Sequence, residues 1–188
     1  FHISGITFAT SEASRAVARH AVAEAHRRGL FVSFDVNYRV KLSSPERAAA
    51  VVMESAPDID LLMCPAGDAE ALFGLRGSTE EVAAEMRERL GIERVVITDG
   101  ATGAAAACGD EVLSQPAYEV EVIDRIGAGD AFAAGLLWGV LSDDSLRFGL
   151  ERGAAMAALK LTLRGDLFRL GRADVDALQA GGSPRINR

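Results

Sequence analysis

The sequence predicts an α/β protein in which a mostly parallel sheet is covered by helices on both faces, a three-layer α/β/α arrangement. Short apolar runs alternate along the chain with segments whose apolar residues recur at helical spacing. Polar residues follow some of the apolar runs, as expected at the carboxyl ends of buried parallel strands. Such an alternation places strands side by side with crossover helices between them.

The first half of the chain predicts repeated strand and helix units. Residues 1–6 look like the end of a buried strand. Ser11 is a predicted N-cap, Gly29 a predicted helix stop, and Pro45 suits the first turn of a helix. The predicted helices span residues 11–28, 44–55 and 79–90, and the predicted strands span residues 30–35, 59–64 and 94–98.

The second half begins with a predicted hairpin and continues with helices. The Gly109-Asp110 pair favours a two-residue turn between strands at 104–108 and 111–113. Strand character continues at 118–122, and helical patterns cover 127–141, 145–163 and 173–180. We expect one α/β domain over residues 1–180 and a flexible tail over residues 181–188, which has little apolar content.

Composition narrows the class of protein. The chain has 188 residues, is 49% hydrophobic and has a net charge of −7, without a basic cluster, so we expect no nucleic-acid partner. No run approaches the roughly 18 apolar residues of a membrane span. Cys64 and Cys108 lie in apolar runs without ligand-spaced neighbours, which predicts reduced thiols and a cytoplasmic protein. Because the chain starts at Phe1 in a strand-like run, we expect further sequence upstream.

The segment richest in chemistry is the polar, glycine-rich turn at residues 124–130, which leads into an apolar helix. Glycines let a backbone approach a ligand closely, and the first amides of a helix bind phosphate. Asp130 could alternatively be a plain helix-stabilising acid. The turn is not a dinucleotide fingerprint because Phe132 occupies the third glycine position, and the chain has no P-loop motif.

The run Asp124-Arg125-Ile126-Gly127-Ala128-Gly129-Asp130 resembles the Asp-Thr-x-Gly-Ala-Gly-Asp signature of the ribokinase-like (PfkB) carbohydrate kinases, with Arg125 in place of Thr. The resemblance implies a ribokinase-like fold and ATP-dependent phosphorylation of a small-molecule sugar or sugar acid, with Mg²⁺. It also implies that the chain corresponds to the later part of a family member, without the first strands and the lid. The full-length protein is a candidate homo-oligomer.

The same resemblance assigns roles within the signature. Asp130 becomes the base that accepts the proton of the attacking hydroxyl and contacts the substrate. Gly127, Ala128 and Gly129 line the hole that receives the moving phosphoryl group, and Gly127 and Gly129 contact the nucleotide. Phosphoryl transfer depends on positioning and charge stabilisation, which a helix N-terminus can supply.

Two further segments are similar to the 2-keto-3-deoxygluconate kinase branch of that family. The Asp-x-Asn-x-Arg pattern at residues 35–39 implies that Asn37 reaches nucleotide and that Arg39 binds a substrate carboxylate. Asp166, after the helix stop at Gly165, implies a second substrate contact. A solvated loop at 35–39 and an ordinary helix stop at Gly165 are the alternatives.

The nucleotide loop of the family matches residues 98–103, which predicts nucleotide contacts for Thr98, Gly100 and Gly103, although hairpin punctuation explains the glycines equally well. Thr98 replaces a frequent Lys. Where relatives carry Asn-x-x-Glu, this chain has Pro65 and Asp68, which weakens the metal assignment of Asp68; an ordinary exposed helix carboxylate is the favoured interpretation of that residue.

We therefore predict an ATP-dependent kinase, acting on 2-keto-3-deoxygluconate to give the 6-phosphate, of which this chain alone is a poor catalyst. Two alternatives stay open. The chain is a truncated, inactive kinase remnant, or it comes from a fructose, ribose or nucleoside kinase of the same fold.

Overall fold

A computed structural model of the protein describes residues 1–143 and 145–181. The order of its strands and helices follows the sequence prediction, apart from two helices, Gly5–Ala9 and Ala66–Phe73, that the sequence did not predict. The strands are β1 (His2–Ser4), β2 (Ser33–Asp35), β3 (Leu61–Pro65), β4 (Arg94–Asp99), β5 (Gly103–Cys108) and β6 (Glu111–Pro116). The helices are α1 (Gly5–Ala9), α2 (Glu12–Arg27), α3 (Pro45–Ser55), α4 (Ala66–Phe73), α5 (Thr79–Leu90), α6 (Ala128–Asp143), α7 (Leu146–Leu161) and α8 (Arg172–Gln179).

The six strands form one sheet in the order β1-β2-β3-β4-β5-β6, and the first four pair in parallel. The predicted, mostly parallel sheet is therefore confirmed. Four consecutive residues of β3, Leu61 to Cys64, are all buried. Because successive side chains of a strand point to opposite faces, both faces of β3 are covered.

Local signals in the sequence account for the helix starts in the first half of the chain. The Ser11 side chain accepts a hydrogen bond from Ser14 N at 3.0 Å, and that of Ser44 accepts one from Arg47 N at 3.4 Å. Ser78 and Glu81 form a reciprocal capping box at the start of α5. The predicted bounds of the third helix, 79–90, are those of α5.

Several strand predictions differ from the structure. The predicted strand over residues 1–6 ends at Ser4, because Gly5 and Ile6 begin α1. The predicted strand at 118–122 is wrong, because Tyr118 and Val120 instead pack without a strand partner on an apolar cluster formed by α7 and α8. The predicted strand at 30–35 shortens to β2, since Val32 N donates to the Asp60 carboxylate at 2.7 Å rather than to a neighbouring strand.

Contacts between residues group the chain into two compact units. The first unit comprises Phe1–Asp99 and Ala105–Leu113, and the second comprises Gly100–Ala104 and the described residues from Ser114 onward. The single domain over residues 1–180 stays a prediction, and the predicted tail from residue 182 onward lies outside the described residues. Both cysteines are free thiols. In the described ranges, no helix has the length and apolar content to cross a membrane.

Candidate active site

In the first unit, the carboxyl ends of parallel strands carry the polar residues that the sequence singled out. Asn37 and Arg39 follow β2, Asp68 lies in the first turn of α4 after β3, and Thr98 lies in β4 opposite Pro65. Open α/β sheets bind ligands at this edge. Asn37 has a φ of 40°, the one positive value among the non-glycine residues that the structure describes. Such a conformation is held by the surroundings and is common at ligand sites.

Asp68 holds the loop after β2 in place. Its Oδ2 accepts a hydrogen bond from Tyr38 N at 2.9 Å. Burial raises the pKa of the Asp68 carboxyl, while the Tyr38 amide and the Arg39 charge act in the opposite direction. The residue is half-buried, so its interpretation as an ordinary exposed carboxylate is wrong. Its role as a metal ligand stays a prediction; within residues 1–143 and 145–181, no three His, Cys, Asp or Glu side chains cluster as a metal site.

Arg39 presents its guanidinium to solvent beside a shallow cavity. The side chain is exposed, and its Nη1 donates to the Tyr38 carbonyl at 3.1 Å. The Tyr38 hydroxyl donates to the Ser43 carbonyl at 3.2 Å, which closes the loop on itself. The loop and residues of α1 line the cavity, among them Gly5 and Ile6. An exposed guanidinium fork at a cavity edge suits a carboxylate ligand.

In the second unit, the signature turn leads directly into α6. Gly127 has a φ of 77°, and its carbonyl accepts the first helical hydrogen bond, from Ala131 N at 2.9 Å. Gly129 and Asp130 lie in the first turn, where backbone amides have no helical acceptor. Both are exposed, and a Cβ at Gly129 would meet open space. The turn therefore has room for an anion.

Sequence reasoning missed the role of Asp124 within the signature. Its Oδ1 accepts from Ile126 N at 3.0 Å, and its Oδ2 accepts from Gly165 N at 2.9 Å. Hydrogen bonds from Ile126 and Gly165 lower the pKa of the Asp124 carboxyl, and the positive charge of Lys160 adds to this effect. The bond to Ile126, two residues on, is an Asx turn, which the sequence could have suggested. The bond to Gly165 joins residues 41 positions apart, and no sequence pattern predicts it.

Asp124 thereby joins the signature turn to the turn that carries Asp166. A Cβ on Gly127 would lie 3.1 Å from the Asp166 carbonyl oxygen and 3.3 Å from Lys160 Cε, so the two turns are in close contact. The Asp166 side chain is exposed, as is that of Asp130. The structure thus brings together two of the predicted site segments. These are the signature turn, which precedes α6, and the turn with Asp166, which follows α7.

The predicted nucleotide loop is the turn between β4 and β5. Gly100 and Gly103 have φ values of 47° and 118°, and Gly103 begins β5 in contact with the Gln115 carbonyl. Thr98 is half-buried within β4. The geometry of the hairpin accounts for Gly100 and Gly103. The nucleotide contacts of Thr98, Gly100 and Gly103 stay predictions.

The sequence profile described as pfkB family carbohydrate kinase matches residues 1–169. The chain belongs to the pfkB family. A similar pfkB relative is the 2-dehydro-3-deoxygalactonokinase of Haloferax volcanii, 36% identical over 188 residues, which are 100% of this chain and 59% of that protein. A 2-dehydro-3-deoxygluconokinase of Thermoproteus tenax is 33% identical over 169 residues, 88% of this chain and 50% of that protein.

Solved structures agree with this membership. The 2-dehydro-3-deoxygluconokinase of Thermotoga maritima superposes with a TM-score of 0.87 at 28% identity, over 96% of this chain and 59% of that one. The fructokinase of Vibrio cholerae O395 in its fructose, ADP and calcium ion bound form gives a TM-score of 0.82 at 28% identity, over 94% and 59%. The predicted ribokinase-like α/β fold is confirmed, and the chain spans 59% or less of these relatives.

The chain departs from the family patterns at Pro65, which replaces Asn, and at Arg125, which replaces Thr. Pro65 is the N-cap of α4 and has no side-chain acceptor, so the helix start has no side-chain cap. Arg125 is exposed in the signature turn. Arg125 does not disturb the backbone of the Gly-Ala-Gly-Asp core, because α6 begins at Ala128 with its first hydrogen bond formed.

Proposed function

We propose that this chain is the nucleotide-binding and catalytic part of an ATP-dependent carbohydrate kinase in which Asp130 is the general base. One observation carries the proposal: an exposed carboxylate lies in the first turn of α6, beside open space at Gly129, in a turn that Asp124 fixes. Such a turn offers amide donors to a phosphate group. Free thiols at Cys64 and Cys108 suit the reducing cytoplasm that we propose as its location.

In the proposed reaction, the Asp130 carboxylate accepts the proton of a sugar hydroxyl, whose oxygen forms a bond to the γ-phosphorus of ATP. The bond between that phosphorus and the oxygen bridging to ADP breaks, and ADP leaves with the electron pair. Amides of Gly127, Ala128 and Gly129 stabilise charge on the transferred group. Mg²⁺ would supply further charge neutralisation. Asp68 is the residue that we propose would hold it, since Mg²⁺ in proteins generally needs only one or two carboxylates.

The proposed substrate is a 2-keto-3-deoxy sugar acid, with 2-keto-3-deoxygluconate first and its galactonate epimer second. The exposed guanidinium of Arg39 supports a carboxylate-bearing substrate, since its planar fork pairs with both oxygens of a carboxylate. Asp166 lies on the turn fixed to the signature and is available to accept from a substrate hydroxyl. The names of the Haloferax and Thermoproteus relatives support the same substrate class.

Replacing Asp130 by Asn in the full-length protein tests the chemistry. The turnover number with the best sugar is expected to fall by about 10²- to 10⁴-fold, the usual contribution of a general base. ATP affinity, measured by calorimetry, should change little. Asp110→Asn, at the exposed turn of the β5–β6 hairpin, is the matched control and should keep its turnover. Turnover of Asp130→Asn within a few fold of the parent protein would rule out the assignment.

A panel of sugars and sugar acids tests the substrate class. Arg39→Ala should raise KM for 2-keto-3-deoxygluconate at least tenfold, the order expected when a charged hydrogen-bonded partner is lost, and Arg39→Lys should recover only part of it. KM for a neutral sugar should not move. A preference for fructose, ribose or a nucleoside that ignores Arg39 would instead favour the corresponding kinase of the same fold.

Pro65 favours one alternative, an inactive remnant, because it offers no side-chain donor or acceptor where the family carries Asn. ATP binding without phosphorylation of any sugar in the panel by the full-length protein would support this alternative. Phosphorylation by the full-length protein would exclude it.

A further inference from the structure

Lys160 is a buried charge next to the candidate site that the proposed reaction does not use. The residue lies in the last turn of α7, and its side chain is 0% exposed. The other buried polar side chains among the described residues belong to Ser33 and Ser55, which are neutral. Removing an ammonium group from water is costly unless nearby groups compensate for it. The groups around Lys160 must therefore compensate for the water that its ammonium group has lost.

The surroundings of Lys160 are the two turns of the candidate site. Its Nζ donates to the Leu163 carbonyl at 3.3 Å, in the turn that leads to Gly165. Its Cε lies 3.3 Å from the position that a Cβ of Gly127 would occupy. The lysine stem thus packs directly behind the signature turn, in space that the missing side chain of Gly127 leaves free.

A buried cation suits the charge balance of these turns. Three carboxylates, those of Asp124, Asp130 and Asp166, lie on them, and the proposed function brings a phosphate to the same place. The guanidinium groups of Arg125 and Arg164 also lie on these turns, but both residues are exposed and solvent and salt screen them. A buried ammonium is screened far less. Its effect is visible at Asp124, whose pKa the Lys160 charge helps to lower.

We propose that Lys160 is a positioning residue for phosphoryl transfer. Its buried ammonium group lies behind the signature turn and donates to the Leu163 carbonyl, in the turn whose Gly165 N donates to Asp124. The same charge gives the amides of residues 127–129 a positive background that favours the transferred group. This inference rests on the proposed kinase function for its catalytic part, while the pairing of Lys160 with Asp124, an attraction between charges rather than a direct contact, is independent of that function.

Lys160→Met in the full-length protein separates charge from packing, because Met keeps the length and volume of the stem. Turnover is expected to fall about 10- to 100-fold, the cost of losing an aligned electrostatic group, with KM for the sugar unchanged. The melting temperature should stay the same or rise, since an apolar side chain suits a buried position better than an ion. Arg27→Met, at an exposed charge in the last turn of α2, is the control and should keep its turnover.

A purely structural lysine would give the opposite result, a lower melting temperature with unchanged turnover per folded molecule. Lys160→Gln adds a second test, because Gln retains a donor for the Leu163 carbonyl without the charge. Parent-like turnover in either the Met or the Gln variant would overturn the catalytic part of the inference.

A double-mutant cycle of melting temperatures tests the pairing without any activity assay. Asp124→Asn should lower the melting temperature more in the presence of Lys160 than in the Lys160→Met background, because Asn leaves the buried charge with less compensation. Equal shifts in both backgrounds would overturn the pairing. A parent protein that phosphorylates nothing would contradict the proposed function, and the cycle would still decide the pairing.

Discussion

Each of the two units contains an aspartate whose carboxylate accepts hydrogen bonds from backbone amides of a turn or loop. In the first unit Asp68 accepts from Tyr38 N, and in the second Asp124 accepts from Ile126 N and Gly165 N. The pKa of Asp68 is raised because burial dominates, whereas that of Asp124 is lowered because its hydrogen bonds dominate. Environment, rather than residue type, decides what an aspartate contributes.

The difference bears on how firmly each turn is held at neutral pH. Asp124 is favoured in its ionised form, with two amide donors and a buried lysine nearby. Asp68 carries a desolvation cost that one amide and the Arg39 charge offset only in part. We therefore expect the signature turn to be the more rigid of the two and the loop with Arg39 to be the more adaptable.

The largest effect is expected for Gly127→Ala in the second unit. Alanine is strained at a φ of 77°, and its Cβ would press on the Asp166 carbonyl and Lys160. We expect a loss of about 1–3 kcal/mol in the free energy of unfolding, measured by urea titration, together with lower turnover. Gly129→Ala is the steric control, because its Cβ enters open space within α6. It should leave stability unchanged or raise it by up to about 1 kcal/mol. Equal losses in both variants would contradict the close contact of the two turns.

The next effect is that of Asp124→Ala. Removing the carboxylate frees Ile126 N and Gly165 N, so the turn that carries Asp166 is no longer fixed to the signature. A small displacement of positioned groups costs turnover steeply, and we expect a loss of about tenfold or more in kcat in the full-length protein. Hydrogen exchange at Gly165 N should accelerate in the variant. Slow exchange there in the variant would show that something else holds the turn.

A smaller effect is expected for Asp68→Ala in the first unit. The Tyr38 amide loses its acceptor at a half-buried position, which should cost about 1 kcal/mol of stability. Asp68→Asn keeps an acceptor without the buried charge, so its stability at pH 7 should equal or exceed that of the parent protein. Because the loop positions Arg39, Asp68→Ala should also raise KM for a sugar acid more than KM for a neutral sugar. Equal changes in KM for the sugar acid and for the neutral sugar would show that Asp68 does not act through the Arg39 loop.

The smallest effect is a contrast in pH dependence between the two Asn variants. A raised folded pKa means that Asp68 contributes stability below its unfolded pKa of about 4 and loses it as the pH rises through the folded value. A lowered folded pKa means that Asp124 contributes above about pH 4 and loses the contribution as the pH falls through its folded value. As the pH rises from 4 to 7, Asp68→Asn should therefore gain stability relative to the parent protein, whereas Asp124→Asn should lose relative stability as the pH rises toward 4 from below and should change little above it. Urea titrations at several pH values give the stability of each Asn variant relative to the parent protein. If the comparison is wrong, these differences will change with pH in the same direction for both variants.

Local signals in the sequence predicted much of the fold. Start signals such as Ser11 and Pro45 and the apolar periodicity of the helices act over a few residues, so the pattern alone located these helices. The Gly-Ala-Gly-Asp run identified the turn before α6 for the same reason. Strand 118–122 failed because β-favouring residues can pack on helices as well as pair with a strand, and only the neighbours decide which occurs.

The sequence by itself determined most of the order of strands and helices, the carboxyl edge where polar residues collect, and the signature turn that carries Asp130. Tertiary structure alone decided that Asp124 reaches Gly165, that Asp68 accepts from Tyr38, and that Lys160 is buried behind Gly127. These contacts join residues about 30 to 40 positions apart in the sequence. Such pairings depend on how packed elements bring side chains together, and no local spacing encodes them.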